Sequence, residues 1–245
     1  MLRKAFQEAG CAPEQITEQL VPGNPITTVM CTLPGSEAGS IVVSAGLDYR
    51  SEGEELSVDN ATLELLPLLV QSVRNTSRRH SLVFIGFTGG KKQAGSNYYL
   101  SQLSDAQRKD IRGMIFLDHI GRSPVRYLHP SQWNEPGVSH MGDFDRNSSH
   151  DPTPLNKWLD VAALSVNMGY PYELKEFYFT HALSFERKRI DALTLTSPAY
   201  IVVPRPRNND VRMQSTTVDM ASFYETYNLL CVYLLKLDSS LKAKN

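Results

Sequence analysis

The sequence predicts an α/β domain with a largely parallel sheet, and three observations point to it. Short continuous apolar runs, "SIVVSAG" (40–46), "SLVFIGF" (81–87) and "GMIFLDHIG" (113–121), have the length and β-branched content of buried strands. Segments with helix-period apolar positions separate them, which is the pattern of strand–helix–strand units. No internal repeat, low-complexity tract or linker interrupts the 245 residues, so the chain reads as one domain over 1–245. A chain of that length with 41% hydrophobic and 21% charged residues can bury a large core.

The elements follow in order. "LRKAFQEAG" (2–10) has helical spacing and ends at Gly10, a C-terminal cap. "TTVMCTLPG" (27–35) reads as a strand closed by a hairpin-like Pro-Gly bend. The run at 40–46 then delivers a polar loop, and "DNATLELLPLLVQSVRN" (59–75) is helical with a kink expected at Pro67. "NYYLSQLSDAQRKDI" (97–111) alternates face as a helix does. "TPLNKWLDVAALSVNMGY" (153–170) is a helix with Thr153 or Asp151 as cap and Gly169 as stop. "DALTLTSP" and "AYIVVP" read as late strands, and "TTVDMASFYETYNLLCVYLLKLD" (216–238) as a long terminal helix.

Charge and cysteines narrow the function classes. A formal charge of −1 gives no global drive toward nucleic acid or anionic membrane, and the basic "VPRPR" (203–207) reads as a solvated loop. No segment has the length and apolar content of a membrane span, and the first residues lack a signal-peptide core. The chain as written is expected to be soluble and cytoplasmic, or secreted if a leader precedes residue 1. The three cysteines lack metal-ligand spacing; Cys231 reads as a buried thiol, and a Cys11–Cys31 disulfide stays open. The sequons at Asn60, Asn75 and Asn147 matter only in a secreted protein. There is no Gly-x-Ser-x-Gly elbow, no phosphate-binding glycine loop and no dinucleotide fingerprint.

In parallel sheets, functional groups collect on loops at the carboxyl ends of strands. Here those loops are "SAGLDY" (44–49), "SVDNAT" (57–62), "TGGKKQAGS" (88–96), "FLDHIG" (116–121) and, further on, "THALSF" (180–185). They would bring Asp48, Asp59 and Asp118 together, an arrangement of like charges that a divalent metal ordinarily neutralises.

The order and spacing of these five motifs resemble the di-zinc exopeptidases, the family of bacterial leucyl aminopeptidases, glutamate carboxypeptidase, glutaminyl cyclases and transferrin receptor. The resemblance spans nearly the whole chain, most clearly 41–121 and 180–195. It implies a three-layer α/β/α fold with a mixed, mostly parallel sheet, the zinc-exopeptidase (phosphorylase/hydrolase-like) fold. It also implies two zinc ions, held in relatives by His and carboxylate ligands. By that alignment Asp48 keeps the ligand-orienting position, Asp59 the bridging carboxylate and Asp118 a further ligand. Two ligand positions hold Gly46 and Ala182, where the family has His. Lys91 falls on the general base and Lys92 on a glutamate ligand.

Two aspartates without His ligands make a poor zinc site, and a protonated lysine is no general base. The expectation is therefore a non-catalytic member that binds no zinc and has no catalytic residue, with its cleft or surface kept for a peptide, small molecule or protein. An ammonium from Lys91 or Lys92 in place of zinc would attract Asp59 and Asp118, by roughly 4 kcal/mol gross per pair at ~4 Å and a dielectric of about 20. Both lysines read equally well as solvated turn residues, and each aspartate taken alone as a loop residue or helix cap. The alternative is an active metallo-exopeptidase or cyclase with a rebuilt site, single-metal or not, in which His181 or His119 joins Asp59 and Asp118. It needs a one-residue register change, which on a strand reverses the side-chain face. A third reading is a structural subunit that assembles through the terminal helix or through 122–178. His80, His129, His140 and His150 are expected at the surface or in loops.

Overall fold

The structure, a computed structural model, describes residues 1–47, 58–89, 93–128, 153–169, 171, 173, 180–197 and 218–241, with the backbone alone at 58–60. Seven α-helices lie among them: α1 (Leu2–Glu8), α2 (Val58–Val73), α3 (Ala94–Gln102), α4 (Asp105–Lys109), α5 (Pro154–Ser165), α6 (Ala182–Glu186) and α7 (Met220–Ser240). The strands are β1 (Ile16–Gln19), β2 (Thr28–Leu33), β3 (Ser40–Gly46), β4 (Ser81–Phe87), β5 (Ile111–Asp118), β6 (Arg126–Leu128) and β7 (Ala192–Thr196).

The seven strands form one sheet in the order β1-β2-β4-β3-β5-β7-β6. Its centre, β4-β3-β5-β7, is parallel. β1 and β2 continue it antiparallel beyond β4, and β6 closes the other side antiparallel to β7. The central strands read as unbroken apolar runs because both faces are covered. On one face Val43, Phe84, Ile115 and Leu193 pack under α2, α5 and α7. On the other Val42, Ile85, Met114 and Phe116 pack under Leu100 of α3 and Phe185 of α6. These are the three layers that the resemblance implied.

Several local expectations are corrected. The Pro-Gly bend after β2 does not close a hairpin with β3, because β4 lies between the two. Helix α2 carries Pro67 in its interior. α5 ends at Ser165, where Asn167 takes a left-handed φ of 54° and Met168 N–H reaches back to the Ala163 carbonyl at 2.9 Å. Asn167, not Gly169, is the stop, since asparagine tolerates that conformation. Thr153 is its N-cap residue, as one of the two options required. Cys231 is free but only half-buried. Cys11 and Cys31 form a disulfide. The segment "AYIVVP", together with His129, His140 and His150, lies outside the described residues.

His80 is the clearest misjudged residue. It is fully buried, and its Nδ1 lies 3.0 Å from Asp238 Oδ1 on α7. The same carboxylate accepts the backbone N–H of His80 at 2.7 Å and of Arg79 at 2.8 Å. Asp238 falls one turn beyond Leu234 on the buried stripe of α7, and a carboxylate on an apolar stripe was the available signal for a buried partner.

Candidate functional site

Strand order reverses at β3, with β4 reached on one side and β5 on the other. The crossovers lie on opposite faces, α2 on one and α3 on the other, which leaves a crevice at the carboxyl ends of β3, β4 and β5. Gly46 ends β3 beside Phe87 of β4, and Asp118 ends β5 opposite Thr196 of β7. The loop ends expected to converge do so, as far as they are described.

Asp118 is mostly buried, and its Oδ1 lies 2.8 Å from His119 Nδ1. His119 holds a left-handed φ of 50°, a conformation costing about 1 kcal/mol or more for a residue with a Cβ. The loop after it is tied on both sides. The hydroxyl of Thr62 on α2 accepts the Ile120 N–H at 2.7 Å, and that of Ser197 accepts the Gly121 N–H at 3.3 Å. Gly121, at φ 93°, gives its carbonyl to Asp219 N–H at the start of α7. The backbone is thereby fixed so that an imidazole stands against the one family aspartate whose side chain is described. Sequence reasoning did not single out Thr62 or Ser197, although Thr62 closes the quoted "VDNAT" motif.

His181 is the N-cap residue of α6. It is 1% exposed, between the rings of Phe87 and Phe116 at 5.1 and 5.4 Å between centroids. Its Nδ1 lies 2.8 Å from Ser96 Oγ, which in turn is 3.1 Å from the Gln93 carbonyl and 3.0 Å from Ser184 Oγ. A hydroxyl has one proton to give; given to Gln93 or Ser184, it leaves the oxygen to accept from Nδ1–H. The network ties α3 to α6 inside the layer that covers the sheet. Ala182, at a family ligand position, is fully buried and has no donor atom. Ser96 and Ser184 were missed because a hydroxyl in a small-residue turn carries no sequence signal of burial.

Nearby, Glu186 at the end of α6 accepts the Ala192 N–H at 3.1 Å. Burial, with a smaller push from Asp191, raises its carboxyl from 4.5 to about 7, and the hydrogen bond to Ala192 opposes the rise.

Asp48, Lys91 and Lys92 lie outside the described residues, and Asp59 is placed only as backbone in the first turn of α2. Among the described residues no three His, Cys, Asp or Glu side chains gather in a way that could hold a metal ion. Gly46 and Ala182 offer no donor, and Asp118 is paired with His119, so the described groups do not fit the two zinc ions of the family.

A scan against protein-family models and a search of curated proteins found no match. Solved structures do match. The chain is similar to a zinc aminopeptidase from Bacillus subtilis, BSAP, with a TM-score of 0.66 and 12% identity over 89% of this chain and 51% of that one. It is similar to the LapA aminopeptidase of Legionella pneumophila, with a TM-score of 0.66 and 13% identity over 98% of this chain and 64% of that one. A glutaminyl cyclase from an Acidobacteriales bacterium gives a TM-score of 0.67 at 13% identity, over 97% of this chain and 84% of that one. This chain therefore spans about half the length of the Bacillus aminopeptidase and most of the cyclase. Seven strands in a mostly parallel order, covered on both faces and superposable on these enzymes, give the chain the zinc-exopeptidase fold shared by aminopeptidases and glutaminyl cyclases.

Proposed function

We propose that this chain is a non-catalytic member of the zinc-exopeptidase fold that uses the crevice at the strand ends, or its rim, to bind a peptide, a small molecule or a protein. The observation that carries the reading is the donor set. The side chains at Gly46 and Ala182 cannot coordinate a metal. Zinc needs at least three protein donors in a catalytic site and leaves one position for water. No zinc cofactor, nucleic acid or membrane enters this reading. Lys91 and Lys92 would add positive charge where the family has its base and a ligand, in place of the ion.

The test is metal stoichiometry by elemental mass spectrometry, after equilibration with zinc and removal of loosely held ion. Near zero zinc per chain is expected. One or two per chain would overturn the reading, and a value of one would favour the second, a single-metal hydrolase or cyclase built on Asp118, His119 and Asp59. The contact between Asp118 and His119 is the observation that keeps His119 in that alternative. The seating of His181 on Ser96 argues against its use there.

A further inference from the structure

We infer that the Cys11–Cys31 bond is a permanent structural cross-link, and that this chain completes its folding in an oxidising compartment. Two of the chain's three cysteines meet here, 20 residues apart in sequence. Cys11 follows Gly10, whose φ of 93° turns the chain out of α1, and its N–H is held by the Phe6 carbonyl at 2.9 Å. Cys31 is the inward-facing centre of β2, opposite Ile16 of β1. The pair therefore fastens α1 and the turn leading into edge strand β1 to the strand that β1 depends on for pairing.

Both sulfur-bearing residues are buried in the main core, at 2% and 0% exposure, beside Leu2, Phe6 and Val29. A bond so placed is closed to reductants and oxidants once the fold has formed, so it must form while the N-terminal segment is still open. Its formation removes two protons and two electrons from two thiols. The acceptor is a disulfide oxidant, small-molecule or protein, which is reduced to two thiols by exchange. Reducing cytosol withholds such an oxidant, whereas export routes supply it. Cys231, on α7, is half-buried beside Ser72 and Tyr227, and burial raises its thiol above the usual range. It stays out of the exchange.

The test produces the full chain twice, once exported to an oxidising periplasm and once retained in a reducing cytoplasm. Thiols are trapped with N-ethylmaleimide in denaturant, and adducts are counted by intact mass. The exported chain should carry one adduct, at Cys231, and the cytoplasmic chain three. Unfolding the exported chain in denaturant with dithiothreitol and refolding it with the reductant still present should lower its Tm by about 5–10 °C, from the loop-closure effect of a 20-residue loop. The C11S/C31S double variant should match the reduced protein; the reduction experiment stands alone if that variant fails to fold. Three adducts after export would overturn the cross-link. One adduct in cytoplasmic protein would overturn the compartment. An unchanged Tm on reduction would show that the bond, even if formed, does not support the fold.

Discussion

The two ends of the sheet handle charge in opposite ways. At the amino end, three consecutive residues bind two helix termini and a buried carboxylate. Arg78 donates to the carbonyls of Val73 and Arg74 at the close of α2, each at 2.7 Å. Arg79 reaches the carbonyls of Ser239 and Leu241 at the close of α7 and pairs with Glu37 at 2.8 Å. His80 and two backbone N–H groups share Asp238. These charges satisfy groups that helix geometry leaves unpaired, so they hold the fold together. At the carboxyl end, the family's charges would surround a metal. Here Gly46 and Ala182 carry no donor atom, and Asp118 has an imidazole beside it. One end has charge committed to architecture; at the other, the described positions Gly46 and Ala182 contribute no side-chain donor.

The sharpest way to break this comparison is at Asp238. Asp238→Ala leaves two backbone N–H groups and a buried imidazole without their partner, and should cost about 3–5 kcal/mol. Thermal unfolding would read this as a large fall in Tm. A change within experimental error would mean that the amino end is no more structural than the carboxyl end.

Next in size is His181→Ala, which empties the space between Phe87 and Phe116 and strips Ser96 of a partner, at about 2–4 kcal/mol. Denaturant midpoints measure it, and zinc content should not respond. Restoring a family donor should not repair the site either. Ala182→His forces an imidazole into a fully buried position and should destabilise by about 1–3 kcal/mol without gaining bound zinc. A gain of one zinc per chain would show that the carboxyl end is one residue from working order. The double change of Lys91 and Lys92 to Ala should lower Tm modestly if either ammonium neutralises the aspartates; an unchanged Tm would put both lysines in solvent.

A smaller effect is pH-dependent. The carboxyl of Glu186 is raised from 4.5 to about 7, so the folded state prefers it protonated. Its contribution is full below pH 4.5, falls as pH rises toward 7 and is constant above that. Glu186→Gln should therefore leave stability unchanged at pH 4. At pH 8 it should raise it, by no more than about 1 kcal/mol once solvent screening of the partly exposed carboxyl is allowed for. Smallest of all, Glu37→Ala removes an exposed partner of Arg79 and should leave Tm unresolved from the unsubstituted protein.

The sequence by itself determined the central strands, the long helices and the loops where chemistry would collect. Unbroken β-branched runs at 40–46, 81–87 and 113–118 can be satisfied only by a sheet covered on both faces, and the helices between them fix the crossovers. It also displayed Gly46, Ala182, Lys91 and Lys92 at positions where the resemblance puts donors and a base, because an absent donor is visible as soon as the motif is. Tertiary structure decided the rest. β1 and β6 have four and three residues, too few for a periodic signal, and exist only because β2 and β7 offer them an edge. Burial of His80 and His181 depended on Asp238 and Ser96, 158 and 85 residues away along the chain. Pairing of Asp118 with His119 goes with a left-handed backbone at His119, beside the next two amides held by Thr62 and Ser197. Local pattern reports which face of an element is apolar; the partner of a buried polar group is set only when distant segments meet, because only then does the cost of leaving it unpaired select the contact.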